Sequence, residues 1–424
     1  MKHTYEIKDI LPRMILDSRG NPTTEAEVEL TDGTVGVASC PSGASTGKHE
    51  ALELRDGEAA FCGKGVQKAI VNMRKIAEHL CGESELTQAR IDNALVHLDG
   101  TINKSHLGAN GTLPISLACA RAHANQLDIP LYHYIGGIRV NRIPVPMMNI
   151  LNGGAHATNS LDFQEFMIVP IRFPSYQRAL QAACEIYAAL KKLLSERGYS
   201  TGVGDEGGFA PDLATEEEAL LCITEAIGRC GYSTDQIKIA LDIASSEWYR
   251  DGEYLLPKHG IRYTHDELIA WYERLCEKFP IISIEDGLAE DDFDGWASLT
   301  KRLGNKIQLV GDDLFVTNVM RLRAGIDRKI GNAILIKPNQ IGTLTEVFDV
   351  ITLARAHGYK CILSHRSGET EDTFLADLAV GCDANFIKCG APCRSERVCK
   401  YNRLLQIAEE LNSPLYGEEI SRNT

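Results

Sequence analysis

From residue 237 onward, short apolar runs recur, and each ends on a polar or charged side chain. In order they are Ile-Lys-Ile-Ala-Leu-Asp242, Ile-Ile-Ser-Ile-Glu285, Ile-Gln-Leu-Val-Gly-Asp312, Ala-Ile-Leu-Ile-Lys337, Cys-Ile-Leu-Ser-His365-Arg366 and Asn-Phe-Ile-Lys388. Each has strand length and β-branched enrichment, and each gap has room for one helix and two loops. The cadence predicts a βα repeat. A strand that is apolar along its length is buried on both faces, as in a parallel sheet wrapped by helices. Repeated right-handed crossovers then close into a barrel or spread into an open sheet. In a barrel, the carboxyl ends of the strands share one mouth, where barrel enzymes keep their chemistry. Asp242, Glu285, Asp312, Lys337, His365, Arg366 and Lys388 would then face one cavity. A lone strand-end charge is best explained by contact with solvent, but six consecutive strands are not.

The first 135 residues read differently. Ile7–Leu16 and Thr24–Leu30 look like antiparallel strands joined by Asp17-Ser-Arg-Gly-Asn-Pro22, and helices are expected near Lys64–Leu80, Thr87–Leu98 and Leu113–Gln126. Strands first and helices afterwards mark an α+β domain. Pro41-Ser-Gly-Ala-Ser45-Thr-Gly47-Lys-His-Glu50 suits either a mobile lid over a ligand or an ordinary surface turn. The boundary is expected at Pro130–Asn141, giving domains 1–135 and 140–424. Two strands with a glycine-rich connection, around Met147 and Phe166, are too close for a helical crossover, so the barrel should begin with an antiparallel pair. A helix at Tyr176–Arg197 leads to Asp205-Glu206 among glycines, a setting for a carboxylate that reaches into a site. Tyr401–Asn412 closes the helical layer.

Composition narrows the function. The chain has 424 residues, 44% hydrophobic and 24% charged, as in an ordinary globular protein. A net charge of −14 disfavours nucleic acid and anionic membranes as partners. No run approaches the ~18 apolar residues of a membrane span, and the first residues do not read as a signal peptide. The 13 cysteines form no C-x-x-C pair, so free, mostly buried thiols in a reducing compartment, the cytoplasm, are expected.

Three convergent carboxylates without histidine or cysteine among them make a hard-oxygen site, which fits Mg²⁺ best, with structural calcium the alternative. Lys337, on the strand after Asp312, would be pushed toward its neutral form by surrounding cations and serve as a base. Arg366 and Ser367 offer a fork and a hydroxyl suited to phosphate. Glu206, on a separate loop, would be the acid. The composite is metal-assisted proton abstraction beside a carboxylate, on a phosphorylated substrate.

Ser-Gly-Ala-Ser-Thr-Gly47, Asn-Gly-Gly-Ala-His156, Gly-Asp-Glu206-Gly-Gly-Phe-Ala-Pro, Ser-Ile-Glu285-Asp, Asp312-Asp-Leu, Leu-Ile-Lys337-Pro-Asn-Gln-Ile-Gly-Thr, Ser-His-Arg-Ser-Gly-Glu-Thr-Glu-Asp372 and Gly-Ala-Pro-Cys-Arg-Ser-Glu-Arg-Val-Cys-Lys-Tyr-Asn402 together resemble the enolases. The resemblance runs in order through nearly the whole chain. It implies an α+β N-terminal cap on an irregular TIM-like α/β barrel with an antiparallel second strand. It implies reversible Mg²⁺-dependent dehydration of 2-phospho-D-glycerate to phosphoenolpyruvate, the lyase step of glycolysis and gluconeogenesis. It places the first Mg²⁺ on Asp242, Glu285 and Asp312 and a second, arriving with substrate, on Ser45. Lys337 would take the C2 proton, and Glu206 with Glu165 would protonate the departing hydroxyl. Lys388 would neutralise the developing enolate, Arg366, Ser367 and His156 would hold the phosphate, and Gln164 and His365 would line the pocket. A lysine base with Mg²⁺ is also the general pattern of enolase-superfamily sites. Family members are homodimers, some assembling to octamers, and occur in the cytoplasm and also at the cell surface or secreted. The sequence departs from the family pattern at Pro338, at 108–115 and at 58–64. A superfamily enzyme acting on a non-phosphorylated carboxylate, or an idle paralogue used for binding, are the competing readings. The first leaves Arg366, Ser367 and His156 without a task, and the second has no reason to retain Lys337 and Glu206.

Overall fold

The computed structural model of the chain describes residues 6–44, 46–83 and 87–417. It opens with an antiparallel sheet of β1 (Ile7–Leu16), β2 (Pro22–Leu30) and β3 (Val35–Ser39), with β2 in the middle. The apolar pattern predicts β1 and β2 but not β3, which is short and carries a glycine. That glycine has a packing reason: a Cβ on Gly36 would lie 2.2 Å from the carbonyl oxygen of Ala118, so only glycine lets the strand touch the helix behind it.

The helices are α1 (Gln67–Leu80), α2 (Gln88–Asp99), α3 (Ala109–Gln126) and α4 (Leu131–Gly136). α3 starts a turn earlier than the expected Leu113, although Pro114 cannot donate to the Asn110 carbonyl and should have marked a boundary. Thr24 resolves this from the sheet: its hydroxyl donates to the Asn110 carbonyl at 2.5 Å, replacing the bond that proline removes. The segment 108–115 is therefore the buried start of a helix that is covered on nearly all sides.

Eight strands then close a barrel: β4 (Val145–Asn152), β5 (Glu165–Pro170), β6 (Ile237–Asp242), β7 (Ile281–Glu285), β8 (Gln308–Gly311), β9 (Ala333–Ile336), β10 (Lys360–Ser364) and β11 (Phe386–Lys388). β5 is antiparallel to both β4 and β6, and all other neighbours are parallel. The link between β4 and β5 holds only a short 3₁₀ turn at Gly154–His156, too little for a crossover, so β5 must reverse. α5 (Tyr176–Glu196) and α6 (Glu216–Arg229) both follow β5. From β6 onward strand and helix alternate through α7 (His265–Lys278), α8 (Phe293–Leu303), α9 (Val319–Arg328), α10 (Leu344–Ala356), α11 (Phe374–Gly381) and α12 (Ser395–Glu410). β4, β5, β7 to β9 and β11 are fully buried, and β6 is buried except at Lys238, as runs apolar on both faces require.

The fold is thus an α+β domain ahead of an irregular α/β barrel with an antiparallel second strand. One addition goes beyond the apolar pattern. Three short strands at 249–250, 253–255 and 262–263 form a small sheet between β6 and α7, and the loop before the last of them carries Lys258 and His259 toward the barrel mouth. The cysteines are all free thiols, with only Cys62 and Cys184 exposed.

Candidate active site

Register brings the strand ends to one level. Asp242 lies opposite Glu285 across a parallel pair, and Lys388 lies beside Ser364 on one side and Met147 on the other. β5 runs the opposite way, so its first residue rather than its last reaches the mouth, and Glu165 sits opposite both Asp242 and Asn152. Residues immediately beyond β8, β9 and β10 add Asp312, Lys337 and His365-Arg366-Ser367. The resulting cavity is lined by His156, Gln164, Glu165, Glu206, Asp242, Asp312, Lys337, Ser364, His365, Arg366, Ser367 and Lys388. Glu285 lies just behind them. Ser45 falls outside the described residues.

Lys388 is at the centre. Its Nζ donates to both Glu285 oxygens at 2.9 Å and to Asp242 Oδ2 at 3.0 Å, and lies 3.3 Å from Glu165 Oε1. Burial alone would lower its pKa, but Asp242, Glu165 and Glu285 outweigh burial and hold it well above the usual lysine value. Burial and the Asp242 charge push Glu285 far up against the pull of Lys388.

Lys337 forms a short ion pair with Asp312, whose other oxygen accepts from Gln340 Nε2 at 2.9 Å. The Asp312 contact also acts on the Lys337 pKa. Burial and Arg366 favour the neutral amine, but Asp312 favours the ammonium and raises it. The backbone N–H of Lys337 donates to Thr317 Oγ1 at 2.9 Å, and that hydroxyl donates to Gln340 Oε1 at 2.7 Å. Pro338, unusual after such a lysine, occupies the first position of a 3₁₀ turn (Pro338–Gln340), where a missing N–H removes no bond. Lys337 keeps extended geometry, with φ −121° and ψ 103°.

Glu165 and Glu206 flank His156, whose Nδ1 lies 3.7 Å and 3.8 Å from them. Burial and the Glu206 charge drive Glu165 well up. Burial acts on Glu206 in the same way, yet His365, His156 and Arg397 pull it below the ordinary carboxylate range, the opposite direction from Glu165. Asn149 Nδ2 fixes Glu206 Oε2 at 3.0 Å.

The loop after β3 is seated on Arg366. A Cβ on Gly43 would lie 1.9 Å from Arg366 Nη2, so the small residues of this loop serve close backbone approach over a buried guanidinium. Glu50 holds Arg366 in a two-pronged ion pair at 2.8 and 3.2 Å, Ala44 N–H donates to Ser367 Oγ at 2.7 Å, and Ser42 and Gly368 exchange backbone bonds. Glu50, Asn149, Gln340 and Asp286 were not expected as site residues. Asp286 accepts the backbone N–H groups of Asp312 and Asp313 at 2.9 and 2.8 Å. No periodicity marks any of them, because each acts by reaching another element.

The donor set fits a hard divalent cation. Oxygen predominates, no thiol lines the cavity, and Glu165 Oε2 and Gln164 Oε1 are buried there without a hydrogen-bond partner. Three side-chain groups draw close enough to hold an ion: His156, Glu165 and Glu206; Asp286, Asp312 and Asp313; and Asp162, Glu216 and His259. Asp242, Glu285 and Asp312 reach the same mouth but are held apart, the first two on Lys388 and the third on Lys337.

The last of those groups secures the loop that carries His156. His259 Nδ1 faces Asp162 Oδ2 at 2.5 Å and its Nε2 faces the Ala214 carbonyl at 3.1 Å, so only the imidazolium satisfies both acceptors. Lys258 Nζ donates to the Gly154 and Ala157 carbonyls. Burial opposes the His259 charge, but Asp162, Ala214 and Glu216 raise its pKa above 6.5. Its stabilisation is complete below that unfolded value and is lost as pH climbs through the folded one. Hydrogen exchange of amides 154–160, corrected for intrinsic rates, is expected to quicken as pH rises above 6.5, and His259→Gln is expected to abolish that dependence; equal dependence in both proteins would contradict the clamp.

Comparison with known families gives two matches that span the chain, the enolase N-terminal domain over residues 7–135 and the enolase C-terminal TIM barrel domain over residues 140–422. The two matches follow one another along the chain as the N-terminal domain and the barrel do in the structure, and together they cover nearly all of it: the chain belongs to the enolase family.

Proposed function

We propose that this enolase-family lyase catalyses the reversible Mg²⁺-dependent dehydration of 2-phospho-D-glycerate to phosphoenolpyruvate, in glycolysis and gluconeogenesis. The observation that carries the reading is the placement of Lys337 and the Glu165–Glu206 pair around one cavity whose third side is Arg366 and Ser367. A base, an acid pair and an anion fork then surround a molecule small enough for all three to touch.

Asp242, Glu285 and Asp312 would hold the first Mg²⁺ and Ser45 would contribute to a second. Bound there, Mg²⁺ supplies Lewis-acid stabilisation of the substrate carboxylate as it gains charge. Lys337, released from Asp312 and having given up its own proton to solvent, removes the C2 proton as a neutral amine. Lys388, already compensating three carboxylates, stays a cation and faces the charge that develops on the carboxylate. Glu165 passes a proton to Glu206, which delivers it to the departing C3 hydroxyl so that water leaves. Arg366 and Ser367 bind the phosphate, His156 closes over it, and Gln164 and His365 complete the wall. The harmless position of Pro338 at the start of its turn supports a working enzyme over an idle paralogue. The substrate's phosphate distinguishes this reading from a superfamily enzyme without one, since Arg366 and Ser367 present a charged fork and a hydroxyl together on the cavity wall.

We also propose a homodimer, with octamers as the further assembly known in the family, acting in the cytoplasm. Supporting the dimer, β1 is a sheet edge that exposes Leu11, Met14 and Leu16 beside a groove of about 590 Å³. A net charge of −14 disfavours nucleic acid and anionic membranes as partners, and among the described residues no helix is long and apolar enough to cross a membrane.

Mixing the protein with 2-phosphoglycerate is expected to generate the ultraviolet absorbance of phosphoenolpyruvate with Mg²⁺ and not with chelator; absence of product from metal-loaded protein would refute the reading. Lys337→Ala is expected to abolish exchange of the C2 proton with solvent and lower kcat by about 10²–10⁴-fold, and persistent exchange would remove Lys337 as the base. Glu206→Gln should block product while leaving exchange detectable. Sedimentation is expected to give twice the 46.6 kDa chain mass or a larger even multiple, and a monomer at micromolar concentration would sink the dimer.

A further inference from the structure

Arg397, at the start of α12, is completely buried although its side chain carries a permanent charge. Its guanidinium does not face the substrate cavity. Nη1 donates to the Arg366 carbonyl at 2.6 Å, and Nη2 donates to the Ser367 carbonyl at 2.7 Å and the Asp205 carbonyl at 3.3 Å. Nη1 also lies 2.5 Å from His365 Nδ1. One side chain thus ties the strand end bearing Arg366 and Ser367 to the loop bearing Glu206.

The contact with His365 dictates where the imidazole proton sits. A guanidinium has five donors and no lone pair to offer, so the nitrogen facing it must be the acceptor. A proton on Nδ1, in either the other tautomer or the imidazolium, would set N–H against N–H beside a fixed positive charge. The remaining nitrogen, Nε2, is then a donor. It points at Glu206 Oε2 from 3.5 Å, longer than a good hydrogen bond, and is buried without a partner. That oxygen already accepts from Asn149.

We infer that Arg397 is a positioning residue that holds His365 as a neutral Nε2–H donor aimed at the acid Glu206 and at whatever group binds between them. The inference rests on the proposed dehydration for the meaning of Glu206, but the microstate follows from the geometry alone. Ring burial and the Arg397 charge act the same way against Glu206, setting the His365 pKa at about 4, so the ring stays neutral throughout the physiological range. A neutral donor next to the acid supports delivery of its proton without competing as a second proton source.

The test is the imidazole ¹⁵N spectrum of the whole, substrate-free protein labelled at histidine, with His365 identified by the signals lost in His365→Gln. Expected are an unprotonated, acceptor-type Nδ1 and a protonated Nε2, unchanged from neutral pH down to about pH 5, one unit above the ring's pKa of about 4. In Arg397→Lys and Arg397→Gln the His365 signals should shift toward a mixture of tautomers, and kcat should fall about 10²-fold, the scale of a misplaced catalytic group. A wild-type ring protonated on Nδ1 overturns the inference. So does a variant with native circular dichroism and an unchanged His365 spectrum. If neither variant folds, the wild-type spectrum decides alone. Because the spectrum needs no turnover, an inactive wild type with the expected tautomer would sink the dehydration and keep the Arg397 assignment, whereas an active wild type with the other tautomer would do the reverse.

Discussion

Glu165, Asp242, Glu285 and Asp312 are buried at one barrel mouth and cannot all be charged and left to themselves. Removing a carboxylate from water costs several kcal/mol even after relaxation, and placing others beside it adds repulsion. Lys388 and Lys337 offset this, Lys388 by serving three of the acids at once. The mouth is therefore organised around positive charge before any ligand arrives. A cation that entered would take over the task of the lysines and free Lys337 from Asp312. The same electrostatic demand explains why the site is acidic, why its lysines are buried, and why their resting state is ionised.

Reversal of β5 decides which acids meet. A parallel strand would have put Glu165 at the far end of the barrel, while the reversed strand aligns it with Asp242 and within reach of Glu206 through His156. The short β4–β5 link thus sets which side chains meet at the mouth as well as the topology. The loop that forms this link is held from outside by the Lys258–His259 turn, which extends control of the mouth to a sheet that contributes nothing to the barrel.

The capping domain completes the site from above. Its loop sets Glu50 on Arg366, and Gln340 joins Glu50 to Asp312 through one amide. From Lys337 the chain of bonds runs through Thr317 and Gln340 to Asp312 and the cap. Position of the loop, orientation of Lys337 and orientation of Asp312 are consequently linked, and Arg397 makes a corresponding link on the opposite side, between the Arg366–Ser367 strand end and the loop of Glu206.

All eight barrel strands are legible in the sequence, six because burial on both faces leaves an apolar run that the chain must break where polar chemistry begins, and the first two from the short glycine-rich link between Met147 and Phe166. The terminal residues Asp242, Glu285, Asp312, Lys337, Arg366 and Lys388 were legible for the same reason. β3 and the early start of α3 were not, since they depend on a close approach at Gly36 and on a hydroxyl from Thr24. The protonation states were not legible either: the same lysine is depressed among cations and raised beside Asp312, and only the fold supplies the neighbour. Sequence by itself determined which residues end at the mouth, because strand length and polarity are local properties. Tertiary structure alone decided which of them touch, that Arg397 faces Nδ1 of His365, and that His156 stands between Glu165 and Glu206, because distances of a few ångströms between distant segments are set by packing and carry no trace in residue order.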